Sequence, residues 1–416
     1  MRRVVESVVP RRLGRPFRWL LASSWVSNLG DGFALAASPL LVASQTHDPT
    51  LVALATLLVQ LPWLLFGLVA GGLADRLNRR AMVILVDCLR AGVLLILAVT
   101  ILGGAINIAL VLVVVFVMGT AEVFANTTSA TLLPMLVHRD DLAIANARLM
   151  TGFVTVNQLA GPPIGAALFA VGMAAPFLAQ AALVLAGAAL MSRMAVVQEP
   201  AKTSELRADI VEGFRWVVHH AAVRTLVLTI LIFNVTFGAA WAVLVLYARE
   251  RLGMGAVGFG LLTTASAIGG IGATLAYGRI TRRVSLGNLM RIGLIIETFT
   301  HLALALNTSQ AIALAIFFVF GAHAFVWGTT SVTIRQRAVP TSLQGRVNGV
   351  NNVASFGGIV VGAAVGGPIA SAWGLTAPFW FAFAGSGVFV VVIWRQLTHV
   401  AHADNASAPD DVLAST

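Results

Sequence analysis

Twelve apolar runs, each about as long as the ~20 residues a helix needs to cross a bilayer, follow one another with only short polar breaks. They lie near residues 17–44, 50–74, 81–103, 106–128, 146–171, 174–196, 224–248, 255–279, 286–306, 310–334, 348–373 and 375–396. In hydrocarbon every backbone N–H and C=O must be satisfied within the protein, so runs of this length read as membrane helices. The expected fold class is an all-α membrane protein.

Composition agrees. Hydrophobic residues fill 58% of the 416 positions and charged residues only 11%, against about 25% charged in a soluble globular chain. A larger soluble core does not explain the deficit, because cores split into domains beyond about 250–300 residues. The apolar surface must therefore face lipid, and the 39 glycines suit helices that approach one another closely. A net charge of +10 would suggest nucleic acid in a soluble protein. Here the basic residues sit in short loops between spans and read as a topology signal instead, so no nucleic-acid partner is expected.

Arginines crowd the N-terminus and the 75–80, 138–148, 193–224, 279–283 and 335–346 loops, while the intervening loops lack Lys and Arg except for Arg249 and Arg251. That asymmetry predicts cytoplasmic termini in an inner-membrane protein. The first run is too long for the apolar core of a signal peptide, about 7–15 residues, and reads as an uncleaved helix. The lone cysteine, Cys88, has no intrachain disulfide partner and reads as a small hydrophobe.

Between the sixth and seventh runs lies the longest polar stretch. Within it Ile210, Phe214, Val217 and Val218 recur at helical spacing beside Asp209, Glu212, Arg215 and His219, the pattern of an amphipathic helix at a membrane surface. An internal repeat divides the chain at the same place. Asn146 pairs with Asn348, Arg79-Arg80 with Arg282-Arg283, and Gly161-Pro162-Pro163-Ile164 with Gly366-Gly367-Pro368-Ile369, all at nearly the same offset. The expected organisation is a six-helix bundle (1–197), a cytoplasmic connector (198–223), a second six-helix bundle (224–401) related to the first by pseudo-two-fold symmetry, and a disordered tail (402–416). Such a duplication is a transporter architecture with its binding site near the bilayer midplane.

Directly after the second run stands Gly71-Gly72-Leu73-Ala74-Asp75-Arg76-Leu77-Asn78-Arg79-Arg80. It resembles the cytoplasmic loop signature of the major facilitator superfamily, Gly-x-x-x-Asp-Arg-x-Gly-Arg-Arg, departing only at Asn78. Asparagine tolerates the left-handed backbone of a tight turn better than other non-glycine residues. The resemblance implies a cytoplasmic gate at Gly71, Asp75, Arg76, Arg79 and Arg80, with Asp75 pairing to arginine or capping a helix. A solvated positive-inside turn is the simpler account of the same residues. The second-half counterpart at Gly278–Arg283 has no aspartate, so a latch there would be weaker.

The fifth run contains Asn157-Gln158-Leu159-Ala160-Gly161-Pro162-Pro163-Ile164-Gly165-Ala166. This is similar to the antiporter signature Gly-x-x-x-Gly-Pro-x-x-Gly-Gly of the same superfamily, with Asn157 and Ala166 in place of glycines. Gly161, Pro162 and Gly165 are expected to form a helix-packing hinge. Together with Gly30-Asp31-Gly32 and Pro62-Trp63, the pattern most resembles the exporters of macrolides, siderophores and other natural products. The fourth run lacks the arginine common in proton-coupled drug exporters and carries Glu122 instead.

Ionisable residues inside membrane spans are functional candidates by default. In the architecture the resemblance implies, spans one, four, seven and ten line the cavity. Asp31, Glu122 and His323 are therefore the expected substrate and proton residues, Asp31 ahead of Glu122 and His323 after both as the coupling site, with Asn28, Asn234, Trp241 and Trp327 beside them. A structural helix-to-helix hydrogen bond would account for Asp31 as well. Asp87 and Arg90, three apart on the third run, read as a neutralised structural pair. Glu297 and His301, four apart on the ninth, acquire no role from the sequence.

No metal-ligand cluster, nucleophile elbow or P-loop is present in the sequence, so no catalytic residue, metal or cofactor is expected and the chain is not read as an enzyme. The expected function is proton-coupled export of a small amphipathic molecule by alternating access, in a monomer embedded in lipid. A proton-coupled importer, a non-transporting membrane receptor and an intramembrane enzyme are the alternatives. Counterflow in liposomes separates a transporter from a receptor.

Overall fold

The computed structural model describes residues 13–194, 206–340, 343–394 and 396, and leaves undescribed the side chains of residues 68, 71, 72, 74–76, 139, 143 and 206–210. Among the described residues every regular element is helical. The membrane helices of the first half are α1 (Gly14–Gln45), α2 (Pro49–Arg76), α3 (Arg79–Leu102), α4 (Ile108–Leu136), α5 (Leu142–Gly152), α6 (Gly161–Val171) and α7 (Ala175–Met191). After the connector helix α8 (Leu206–His219) come α9 (Ala221–Trp241), the single turn α10 (Leu244–Leu246), α11 (Ala256–Ile280), α12 (Leu286–Leu306), α13 (Gln310–Ala338), α14 (Gln344–Trp373) and α15 (Ala377–Ile393). Among the described residues ten spans are long and apolar enough to cross a membrane, and the shorter α7 and α15 are also apolar.

Two of the expected runs are not single α-helices. The fifth is α5 and α6 joined by a π-helix over Phe153–Ala160. Pro162 and Pro163 have no N–H to donate back into the preceding turn, and a π-helical stretch is one way the ladder absorbs that loss. The seventh stops at Trp241 and resumes through α10 and a π-turn at Tyr247–Arg251. No proline falls in that break.

The loops are closed by caps. Asp48 accepts from the Thr50 N–H at 2.8 Å, Asn107 from Leu110 at 3.0 Å, and Asn78 from Ala81 at 3.0 Å. Asn78 therefore serves differently from the role its sequence position suggests: its φ is −66°, extended rather than left-handed, and its side chain is the N-cap of α3. Arg79 donates to Met135 Sδ at 2.8 Å, and Arg80 to the Ser192 carbonyl just past the end of α7, where a cation also suits the helix dipole. Gly71, Asp75 and Arg76 lie in the last turns of α2, and their side chains fall outside the described residues.

The chain divides into two compact units. One comprises Met1–Thr203 and Val243–Ala267, the other Ser204–Ala242 and Ile268–Thr416. The sequence led to the expectation of 224–401 as one half, whereas Val243–Ala267 groups by contact with the first unit. Its anchors are explicit: Arg249 Nη1 donates to the Ala43 carbonyl at 2.8 Å, and Thr264 Oγ1 to the Leu159 carbonyl at 3.3 Å.

Within the first unit α1 meets the fifth span along glycine. A methyl group at Gly32 would lie 2.7 Å from the Asn157 carbonyl oxygen and 2.9 Å from Gly161 Cα, and one at Gly165 would overlap the Phe33 backbone. Within the second unit α9 and α14 meet the same way. A methyl at Gly238 would lie 2.6 Å from the Ile359 carbonyl oxygen, and methyls at Gly362 and Gly366 would overlap the Val235 and Ala239 carbonyls. In lipid, where helix association relies on packing rather than the hydrophobic effect, these seams supply the contact.

In α8, of the apolar positions read as one face, Val217 is buried while Phe214 and Val218 are exposed. Gly213 abuts Arg346, and the Arg346 guanidinium reaches Glu212 at 2.8 Å. The face of α8 turned to the bundle is thus Gly213/Val217, and Val211, Phe214 and Val218 form an exposed apolar strip. Ile210 has no described side chain, and the connector before residue 206 and the tail beyond 396 lie outside the described residues.

Candidate functional site

The first unit encloses a cavity of about 750 Å³ whose wall includes Asn28 and Asp31 from α1, Asp87 and Arg90 from α3, Glu122 and Asn126 from α4, and Gln180 from α7. Leu94, Leu97, Val111, Val115 and Met118 give it an apolar flank. Asn28, Asp31 and Glu122, picked out separately in the sequence, therefore line one chamber.

At its centre is Arg90, whose side chain is 4% exposed. Spacing on α3 brings it to Asp87, with Nη1 3.1 Å from Asp87 Oδ1. Its other arm, Nη2, pairs with Asp31 Oδ1 on α1. Gln180 Nε2 donates to the same Asp31 oxygen at 3.2 Å. The Asp87–Arg90 pair expected from spacing is thus half of a three-residue bridge, and Asp31 is tied into it. Glu122 feels the same guanidinium but makes no ion pair with it among the described residues; its described hydrogen bond is from Asn126 Nδ2, at 3.4 Å.

The charges do not balance. Three carboxylates face one guanidinium, and arginine keeps its charge in any protein environment. Burying uncompensated charge away from water is costly, and the described wall carries more carboxylates than guanidinium.

Backbone geometry holds the chamber together. Asn28 Nδ2 donates to the Ser24 carbonyl at 2.8 Å, Asn157 Nδ2 from the π-helix to the Asn28 carbonyl at 3.1 Å, and Gln158 Nε2 to Asn157 Oδ1 at 2.7 Å. Asn157, where the antiporter signature has glycine, is therefore a polar tie between the fifth span and α1. Gly161 and Gly165 form the seam beside it, and Pro162 stands in the first turn of α6.

The other candidates lie in the second unit. His323 on α13 places Nε2 3.9 Å from Glu297 Oε2 on α12. Trp241 stacks on Phe237 at 4.3 Å and meets the His301 ring edge-on at 6.2 Å. Asn234 sits at the α9–α14 seam, its Cβ 2.7 Å from where a methyl on Gly358 would fall. Trp327 covers Gly293 and packs with Met290, Leu226 and Ile334. Sequence reasoning passed over Gln180 and Asn126. The available signal was a lone amide in an otherwise apolar helix, which for Gln180 is plain in Ala175–Met191.

Chains of this shape are known. A bacterial homologue of the iron transporter ferroportin, in its inward-facing state, superposes with a TM-score of 0.72 over 92% of this chain and 99% of that one at 15% identity. The nucleoside transporter NupG superposes with a TM-score of 0.68 over 92% and 99% at 12% identity. The chain shares the fold of these transporters, and its match to a family model over residues 9–414 makes it a major facilitator transporter.

Within that class the chain belongs to the family described as transmembrane secretion effector, whose model matches residues 9–414. Its relatives include the multidrug efflux pump Tap of Mycolicibacterium fortuitum, 26% identical over 95% of this chain and 98% of that protein. The enterobactin exporter EntS of Escherichia coli O1:K1 is 25% identical over 96% and 95%.

Proposed function

We propose that this chain exports a small amphipathic organic molecule across the cytoplasmic membrane in exchange for protons, with the first-unit cavity as part of its binding site. The observation that carries the reading is the charge imbalance around Arg90. A chamber with three carboxylates and one guanidinium holds a proton in one state and releases it in another. The apolar flank supplies the surface an amphipathic substrate buries. The relatives named as an efflux pump and an exporter support the outward direction.

Glu122 takes precedence over Asp31 as the titrating carboxylate of this cavity, because Arg90 already neutralises Asp31. Asp31 and Asp87 fix the guanidinium, Gln180 orients Asp31, and Asn28 and Asn126 offer hydrogen bonds to a guest. The moving bodies are the repeat halves, 1–197 and 224–401, with both termini and the connector cytoplasmic and the Asp75 loop as a latch on that side. One charge crossing 100 mV supplies about 2.3 kcal/mol, which sustains a substrate gradient on the order of fifty-fold. The working form is a monomer.

The test is energised, inverted membrane vesicles from a host stripped of its own efflux pumps, offered ethidium and a catecholate siderophore. Uptake into these vesicles, abolished by collapsing the pH gradient and by Glu122→Gln, is the expected result. Energy-dependent movement in the opposite direction would make the chain an importer and sink the reading.

A further inference from the structure

Glu297 and His301 stand four apart on α12 and share a face. α13 brings His323 to within 3.9 Å of the Glu297 carboxylate. His301 is fully buried and His323 nearly so, while Glu297 keeps 15% of its side chain exposed. None of the four imidazole nitrogens has a hydrogen-bond partner, although buried polar atoms nearly always have one.

The surroundings of this trio are apolar. α9 contributes Trp241 against His301, and α13 contributes Phe320, edge-on to His323 at 5.4 Å. α15 carries no ionisable side chain from Ala377 to Ile393. The charged residues of the neighbouring helices are elsewhere. Arg291 of α12 lies over the Trp394 ring at 5.2 Å, Arg224 lies in the first turn of α9, Arg335 and Arg337 lie in the last turn of α13, and Arg279 in the last turn of α11. Tyr277 of α11 is engaged with Thr330 at 3.1 Å. Among the described residues, imidazole is thus the cationic partner within reach of Glu297.

We infer that Glu297 and His323 form a proton-binding site of the second half, separate from the cavity around Arg90, with His301 as a further acceptor in the same apolar pocket. A carboxylate facing arginine is paired with a permanent charge. A carboxylate facing imidazole is paired with a group that can itself take up or release a proton. With one proton the pair is neutral overall, either as acid and imidazole or as carboxylate and imidazolium. With none, a bare carboxylate is left in an apolar pocket, and with two, a bare imidazolium. The two groups therefore titrate as a unit, and the bare nitrogens leave both tautomers open. In the exporter proposed above, which this inference extends, the pair is a second place for the coupling proton.

The test is pH-difference infrared spectroscopy on the full-length protein in lipid vesicles, without substrate. A protonated carboxylic acid stretch should grow as the pH is lowered, vanish in Glu297→Gln, persist in Glu122→Gln, and form at a different pH in His323→Gln. Glu297→Asp keeps the acid and should displace the band rather than remove it, which covers the case of a glutamine variant that does not fold. The absence of any carboxylic acid band that is lost in Glu297→Gln yet kept in Glu122→Gln overturns the inference; so does such a band whose pH dependence ignores His323→Gln. Because no substrate is used, a negative result leaves the exporter reading standing, and failure of dye export in vesicles leaves the titration interpretable.

Discussion

The two repeats keep the same packing seam and fill it with different chemistry. In the first, Gly161 abuts Gly32; in the second, its counterpart Gly366 abuts Ala239. The third span of each repeat is where they part. Carrying the offset between Arg79-Arg80 and Arg282-Arg283 along α3 sets Asp87 opposite Met290 and Arg90 opposite Gly293. Where the first half has an arginine bridging two aspartates, the second has an apolar cluster of Met290, Leu226 and Ile334 with Trp327 lying over Gly293. A methyl at Gly293 would come 2.7 Å from Trp327 Cδ1, so the tryptophan occupies the room a side chain there would need. Close backbone approach needs only small residues at fixed spacing, which both halves have. A charge network needs every partner present, and only the first half has them at these positions.

The comparison can be broken hardest at Arg90. Arg90→Met leaves the buried carboxylates of the first half without their cation, and removing one partner of a buried pair costs about 3–5 kcal/mol. Thermal unfolding of detergent-solubilised protein followed by size-exclusion chromatography should show a large loss. Neutralising Asp31 and Asp87 in the same chain should restore part of it, and no restoration would mean Arg90 acts through something other than those two charges.

Next in size are the seams. Gly165→Val and Gly366→Val each push a side chain into backbone, where overpacking typically costs about 1–3 kcal/mol. The two should destabilise to a similar extent in the same melting assay. A tolerated valine in one half only would show that the seams are not equivalent.

Glu122→Gln keeps shape and removes a charge not bound to arginine, so the fold should survive. Export driven by a pH gradient should be lost in vesicles while downhill exchange continues. Asp31→Asn should instead lower the melting temperature, since it unpairs one arm of Arg90. Equal and purely structural losses in both variants would erase the distinction between the bridged and the free carboxylate.

The smallest effect is expected at the loop. Asp75→Asn should slow transport several-fold without altering substrate affinity in detergent, as expected when charge pairing governs exchange between states rather than binding. Unchanged transport would leave the loop only its positive-inside role.

Length and apolarity alone make the membrane helices legible, because lipid allows a spanning backbone few solutions. The repeat, the Gly161-Pro162 seam and the Asp87–Arg90 contact are legible too, since each rests on local spacing along one helix or on the matching of two stretches. Other features required the tertiary structure. The Arg90–Asp31 bridge joins residues 59 positions apart, and Glu297 meets His323 from a different helix. Asn78 proved a helix cap rather than a left-handed turn residue, and α8 turned Val217 inward while leaving Phe214 outside. In a membrane helix almost every residue is apolar, so periodicity barely distinguishes the buried face from the lipid face. Which polar side chains meet is decided by how the helices rotate and pack, and one chain's spacing does not encode that rotation.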